Sequence, residues 1–166
     1  MRAAVYAGSF DPITNGHIDI LVRCSSMFDK IVVAVVHNVH KKCTFTLEER
    51  TEHIRESLSG LDNVEIVSYS GLITDLMRER GIGTIIRGLR SITDFEYESQ
   101  LCFFNKHLLP QSDTIFIMAD YRYSYVSSTG VKEAAILGGD ISELVPDVVA
   151  RGLAAKHEEM KARGLI

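Results

Sequence analysis

The sequence predicts an α/β fold: one doubly wound parallel sheet of five strands, with helices on both faces. Three observations predict it. Short β-branched apolar runs alternate with longer stretches of helical period, five times over. One of those runs, Ile31–Val36, is apolar without a break, as a strand covered on both faces must be. The chain has 166 residues, 46% hydrophobic and 24% charged, which suits one buried core and excludes disordered, collagenous and coiled-coil chains. A single domain over residues 1–166 follows.

Ala3–Ala7 reads as the first strand, stopped by Gly8. Ile18, Leu21 and Val22 then recur at helical spacing, with Phe28 near that helix's end. Ile31–Val36 is the second strand. Thr46-Leu47-Glu48-Glu49 is a capping box, and Leu47, Ile54 and Leu58 make one stripe behind it. Val64–Val67 is the third strand, and Leu72–Arg80 is a short helix closed by Gly81. Thr84–Ile86 is the fourth strand. The helix Asp94–Leu108 carries Tyr97, Leu101, Phe104 and Leu108 on one face and stops before Pro110. Thr114–Met118 is the fifth strand. Thr129–Leu137 is a helix ending at Gly138-Gly139, and Asp147–Arg163 is a polar final helix. In such a Rossmann-like sheet the crossovers are right-handed, and ligands sit beyond the carboxyl ends of the strands, where the strand order reverses. The loops after Ala7, Val36, Val67, Ile86 and Met118 are therefore the places to look for function.

Lys and Arg number 18 against 22 Asp and Glu, a formal charge of −4. Nucleic acid and membrane surfaces call for a basic surplus, so neither partner is expected. Cys24, Cys43 and Cys102 are odd in number and lack C-x-x-C spacing, which fits reduced thiols. The apolar run within Met1–Gly8 is too short for a signal segment or a membrane span. A cytoplasmic protein is the expectation.

The first loop, Gly8-Ser9-Phe10-Asp11-Pro12-Ile13-Thr14-Asn15-Gly16-His17, is neither a P-loop nor G-x-G-x-x-G. Gly81-Ile82-Gly83 precedes a strand instead of following one, so it fails as a dinucleotide fingerprint. The first loop offers a hydroxyl at Ser9 and an imidazole at His17 in the first turn of a helix. Free N–H groups and the positive dipole end attract a phosphate there. Singly, Ser9 serves as a cap, Pro12 as a turn and His17 as a surface group; the ten-residue pattern carries the functional reading. His37-x-x-His40-x-x-Cys43 holds metal-ligand types, but a structural zinc site wants four ligands and no second pair lies nearby. The stretch reads as the loop that presents Lys41, and no protein-built metal site is expected.

Gly8-Ser9-Phe10-Asp11-Pro12 with Thr14-Asn15-Gly16-His17 resembles the first signature of the nucleotidyltransferases with a T/H-x-G-H motif. Val126-Ser127-Ser128-Thr129 resembles their second, serine-rich signature. Within that superfamily the chain looks most like the bacterial phosphopantetheine adenylyltransferases. The resemblance includes Lys41-Lys42, Phe45-Thr46-Leu47-Glu48-Glu49-Arg50 and Ile86-Arg87-Gly88-Leu89-Arg90 followed by Asp94-Phe95-Glu96-Tyr97-Glu98. It implies transfer of AMP from ATP to 4′-phosphopantetheine, giving dephospho-coenzyme A and pyrophosphate. It also implies Mg²⁺ with the ATP, a homohexamer, and coenzyme A as a further candidate ligand.

By the resemblance, His17, Lys41, Ser9 and Arg90 form the catalytic set. His17 binds the α-phosphate, Ser9 sits between the substrates, and Lys41 holds the acceptor phosphate. Arg90, Ser128 and Thr129 receive the β- and γ-phosphates. Glu98 joins the ATP set, and Phe10, Gly88, Leu89, Tyr123, Ser124, Tyr125, Val126 and Ser127 surround the nucleotide. Arg87, Ile73 and Asn105 line the phosphopantetheine side with Ser9 and Lys41. Such a reaction joins a phosphate to a phosphorus, so positioning and charge neutralisation suffice, without a carboxylate pair for acid–base work.

Plainer uses remain open for several of these residues. Arg87 suits a structural ion pair with Asp94 or Glu98, Ser127-Ser128-Thr129 suits a helix cap, and Tyr121, Tyr123 and Tyr125 suit either base stacking or a sheet-edge cover. Ser9 stands where threonine is more usual in the family, and Thr129-Gly130 and His37-Asn38-Val39-His40 depart from its pattern. The alternatives are adenylyl or cytidylyl transfer to another phosphorylated acceptor, such as nicotinate mononucleotide, and a non-catalytic nucleotide-binding module.

Overall fold

The first strand, β1 (Ala3–Gly8), is the hub of the sheet, hydrogen-bonded to β2 (Lys30–Val36) on one side and β4 (Thr84–Leu89) on the other. The computed structural model describes residues 1–37 and 43–164. β3 (Val64–Tyr69) lies outside β2 and β5 (Asp113–Met118) outside β4, in the order β3-β2-β1-β4-β5. Every pairing is parallel. The order reverses between β1 and β4, so the crevice above their carboxyl ends is the ligand position of a doubly wound sheet.

Alternation in the central strands sorts the core into two layers. Ala4, Tyr6, Ile31, Val33, Val35 and Ile86 face one layer, and Val5, Ala7, Val32, Ala34 and Ile85 the other. α1 (Asn15–Ser25), α2 (Leu47–Ser57), α5 (Ser128–Ile136) and α6 (Asp147–Ala162) supply the first layer through Ile20, Leu21, Ile54, Val131, Val149 and Leu153. α3 (Ile73–Arg80) supplies the second through Leu76 and Met77, and its αL cap is Gly81, with φ 63°. The strands and helices expected from sequence all form, most of them a residue or two longer or shifted at the ends.

Two packing expectations are corrected. Val22 is 49% exposed, and Phe28 falls beyond the end of α1, although it still packs against the first core layer. α4 (Ile92–Leu108) has no buried residue: Tyr97 is 62%, Phe104 67% and Leu108 42% exposed. Its link to the sheet includes an edge-to-face contact of Phe95 with Phe116 of β5, 5.5 Å between centroids. Helical spacing marks residues that seek apolar cover. It does not say that the cover lies in the same chain, and edge strand β5, with Ile115 and Met118 themselves exposed, is too small to supply it.

Candidate active site

β1 ends at Gly8, and the chain turns on Phe10, a non-glycine residue at φ 44°. Such a backbone costs roughly 1–3 kcal/mol and persists only where packing enforces it. Here the Phe10 ring is 4% exposed and sits edge-on to Tyr6 and His17, at 5.5 and 5.4 Å. The buried aromatic thus holds the loop in place from below.

Thr14 caps α1, and His17 stands at the third helical position. Its Nδ1 accepts the Thr14 backbone N–H at 3.0 Å and lies 2.9 Å from the Thr14 hydroxyl. This is the capping-box role that glutamate usually fills. An Nδ1 that accepts carries no proton, so the neutral ring keeps its hydrogen on Nε2, away from the cap. Burial, with Arg90 adding repulsion, pushes the His17 pKa down from 6.5 to about 4. The site therefore holds an uncharged imidazole locked by one nitrogen, with the N–H of the other left to donate to a ligand. Gly16 lets the tyrosine loop approach closely: a Cβ there would stand 3.2 Å from the Tyr123 Cβ.

His17 belongs to two adjoining cavities. One, about 290 Å³, is lined by Ser9, Gly16, His17, Gly88, Arg90, Asp94, Glu98, Tyr123 and Val126 through Thr129. The other, about 190 Å³, is lined by Ala7, Gly8, Ser9, Phe10, His17, Arg87, Gly88, Glu98 and Ser128. Ser9, His17, Gly88, Glu98, Ser128 and the buried Tyr6 are common to both. Arg90 belongs to the first alone and Arg87 to the second alone. Gly88 packs closely on α1: a Cβ there would stand 2.4 Å from the Cδ1 of Ile20, so the end of that side chain would have to move.

Each arginine has its own carboxylate from α4. Arg87 Nε donates to Glu98 at 2.5 Å and its Nη1 to the Ala7 carbonyl at 2.8 Å. Arg90 makes a fork with Asp94, Nε to Oδ2 at 2.9 Å and Nη2 to Oδ1 at 3.0 Å, and its Nη1 reaches the Val126 carbonyl. The Arg90 guanidinium holds Asp94 below the usual carboxylate range, against a smaller opposing effect of burial. The second signature divides its work. Ser127 is the cap of α5, accepting from Gly130 N, while Ser128 donates to the Pro12 carbonyl at 2.8 Å and faces both cavities with its neighbour Thr129 in the first.

Of the residues singled out in the sequence, Ser9, His17, Gly88, Arg90, Glu98, Tyr123 and Val126 through Thr129 meet in the first cavity, and Arg87 and Phe10 enter at the second. Leu89, Ser124, Tyr125, Ile73 and Asn105 line neither cavity. Leu89 is in the core, Tyr125 is 73% exposed, and Ile73 packs against the α3 layer. Within the tyrosine loop, residues Tyr121–Tyr123 form a single 3₁₀ turn that brings Tyr123 against Gly16. Lys41 and His40 lie outside the described residues. Among those described, no cluster of three His, Cys, Asp or Glu side chains could hold a metal ion. The cavity's two carboxylates are both engaged by arginines, so the residues fit a metal carried by a phosphate ligand and not one caged by the protein.

Three residues were missed from sequence. Tyr6, from β1, lies under both cavities. Asp11 and Arg50 are buried at 4% and 1% exposure. The signal for Arg50 was present: it stands at helical spacing between Leu47 and Ile54, on the stripe read as core.

A cytidylyltransferase-like family model matches residues 5–134. A phosphopantetheine adenylyltransferase of Syntrophomonas wolfei is 53% identical over 156 residues, 94% of this chain and 97% of that protein. The phosphopantetheine adenylyltransferase of Herpetosiphon aurantiacus is 46% identical over 98% of this chain and all of its own. Among solved structures, a Vibrio parahaemolyticus protein assigned as a nicotinate-nucleotide adenylyltransferase superposes with TM-score 0.69, covering 95% of this chain and 97% of that one. At 19% identity that likeness speaks for the fold alone.

Proposed function

The chain belongs to the cytidylyltransferase-like family, among its phosphopantetheine adenylyltransferases, and from that membership we propose that it transfers the adenylyl group of ATP to 4′-phosphopantetheine, giving dephospho-coenzyme A and pyrophosphate. One observation carries the reading onto this chain's own residues. Two cavities, one with Arg90 and one with Arg87, meet at His17, Ser9 and Ser128. A nucleotide and a second phosphate ester need such a pair of adjoining subsites.

An oxygen of the acceptor phosphomonoester attacks the α-phosphorus of ATP. The new O–P bond forms as the bond to the α,β-bridging oxygen breaks, and its electron pair departs with pyrophosphate. At neutral pH the nucleophile is already ionised, so no residue has to take a proton from it. His17 acts as a fixed neutral donor, its Nε2–H aimed at an α-phosphate oxygen as charge gathers there. Arg90, Ser128 and Thr129 hold the departing phosphates, Arg87 and Lys41 the acceptor. Mg²⁺ would be held by the ATP phosphates themselves and would offset the charge of the leaving pyrophosphate.

The exposed apolar face of α4 and β5 supports an assembly of copies, and the resemblance makes it a homohexamer. Cys24, Cys43 and Cys102, all unbonded, suit the reducing cytoplasm. The test is pyrophosphate release by the purified protein with ATP, Mg²⁺ and a panel of phosphorylated acceptors. Release with 4′-phosphopantetheine alone is expected. Preference for nicotinate mononucleotide, or no release with any acceptor, overturns the proposal.

A further inference from the structure

Beside the reacting groups lies a set of buried charges that the transfer chemistry does not use. Asp11 accepts the backbone N–H of Thr44 at 3.1 and 3.0 Å, the N–H of Phe45 at 3.0 Å, and the Lys132 ammonium at 2.6 Å. Burial works against its ionisation, but Lys132 and the two N–H groups together hold Asp11 below the usual carboxylate range. Arg50, on α2, donates through Nη1 to the carbonyls of Ser9 at 2.6 Å and Val36 at 3.3 Å, and through Nε to Thr46 at 3.3 Å.

These bonds share a direction. Val36 closes β2, and Thr44 and Phe45 lead into α2. The chain between them carries Lys41. Arg50 thus ties one flank of that segment to the Ser9 loop, and Asp11 ties the other flank to the same loop. Lys132 extends the link to α5, whose Ser128 already bonds Pro12. Burying ions is costly, and well-packed apolar residues serve stability at least as well. Directional bonds to backbone groups of two neighbouring loops fix their separation instead.

We infer that Asp11 and Arg50 are positioning residues, which fix the two flanks of the acceptor-side segment, Val36 at the end of β2 and Thr44-Phe45 before α2, against the phosphate-binding loop after β1. The inference rests on the proposed function, because the separation matters only if the two loops serve two substrates. A displacement of about 1 Å between reacting groups can cost on the order of 10²-fold in rate.

The test uses the full chain with Asp11→Asn and Arg50→Lys, each screened for folding by thermal melting. Arg50→Lys keeps the charge, but its single Nζ stops one bond short of Nη1, the atom that bonds both carbonyls, and the Nε bond to Thr46 is lost as well. Both variants are expected to raise KM for 4′-phosphopantetheine and lower kcat, each by about tenfold, while ATP affinity by calorimetry moves less than about threefold. A merely structural role would lower the melting temperature and leave KM for both substrates unmoved. Unchanged constants, or equal losses for ATP and acceptor, overturn the inference. If Asp11→Asn fails to fold, the Arg50→Lys result decides it. The wild-type chain is assayed alongside: its inactivity with 4′-phosphopantetheine would remove the proposed function, whereas wild-type activity without the split in the variants would remove only the positioning role.

Discussion

Replacing His17 by asparagine separates the ring's two nitrogens. The amide oxygen of Asn falls where Nδ1 stands and can still accept the Thr14 N–H, but nothing reaches the position of Nε2. The cap survives and the donor is lost. Removing one donor from developing oxyanion charge costs about 2.7–4 kcal/mol, or 10²–10³-fold in kcat. ATP affinity should change by no more than a few-fold, because the bond strengthens mainly in the transition state. In His17→Gln the longer amide can either keep the Thr14 cap, as a capping-box residue does, or reach toward Nε2 at a cost near 1 kcal/mol in lost cap, so at most part of the turnover should return.

The same ring gives a pH signature. Its folded pKa near 4 lies below the ordinary 6.5. Above pH 6.5 both folded and unfolded chains hold it neutral, and its stability contribution is full. As pH falls toward 4 the unfolded chain binds a proton that the folded one resists, and up to about 3 kcal/mol is lost. The stability of wild type relative to His17→Asn, read from melting curves, should shift by up to about 3 kcal/mol in favour of the variant as pH falls from 6.5 to 4, because asparagine has no such proton to bind, and wild-type kcat should show no inflection near 6.5 from this group. Asparagine turning over at the wild-type rate, or a wild-type rate limb near pH 6.5 that vanishes in the variant, would refute a neutral donor.

Three further outcomes follow from the geometry. Arg87→Ala should weaken 4′-phosphopantetheine by about tenfold while ATP changes little, since Arg87 lines only the second cavity; calorimetry with each ligand checks it. Gly88→Ala should drive a methyl against Ile20, which is 3% exposed, and destabilise the fold by about 1–3 kcal/mol, read as a lowered melting temperature. Phe103→Glu, at a residue 72% exposed, should leave the fold within about 0.5 kcal/mol; if α4 carries the proposed contact between copies, the variant should sediment as a smaller species than wild type.

The sequence was most legible where one residue type has one local use. The Thr46 box forms with both of its bonds, Glu49 N to the Thr46 hydroxyl at 3.1 Å and Thr46 N to the Glu49 carboxylate at 2.7 Å. Gly81 closes α3 as read. Legibility ended where the partner is distant in the chain. Asp11 meets Lys132 across 121 positions, and no spacing rule connects them. Arg50 was disguised by its charge alone: its place on the stripe of Leu47 and Ile54 faces it inward, but a guanidinium reads as exposed until the carbonyls that satisfy it are known. The α4 stripe failed for the opposite reason: its period was right, but nothing among the described residues covers it. The choice of carboxylate was open too, and the structure resolves it residue by residue: Arg87 takes Glu98, and Arg90 takes Asp94.

That pairing changes how the site must work. Arg87 and Arg90 carry two positive charges, and Glu98 and Asp94 cancel them, in a chain whose formal charge is already −4. A surplus of positive potential therefore does not draw a polyphosphate to these four side chains. What they offer is direction. Of the five N–H donors on a guanidinium, Arg90 spends three on Asp94 and Val126, and Arg87 two on Glu98 and Ala7. The remaining donors are held at fixed angles by two carboxylates one turn apart on a single helix, α4, and by the carbonyls of Ala7 and Val126. An oxygen arriving on a phosphate finds donors that have no freedom left to lose, and preorganisation of this kind lowers a barrier where net charge alone would only tighten binding. His17 follows the same design with no charge at all: one nitrogen is given to Thr14 so that the other has a single direction in which to point.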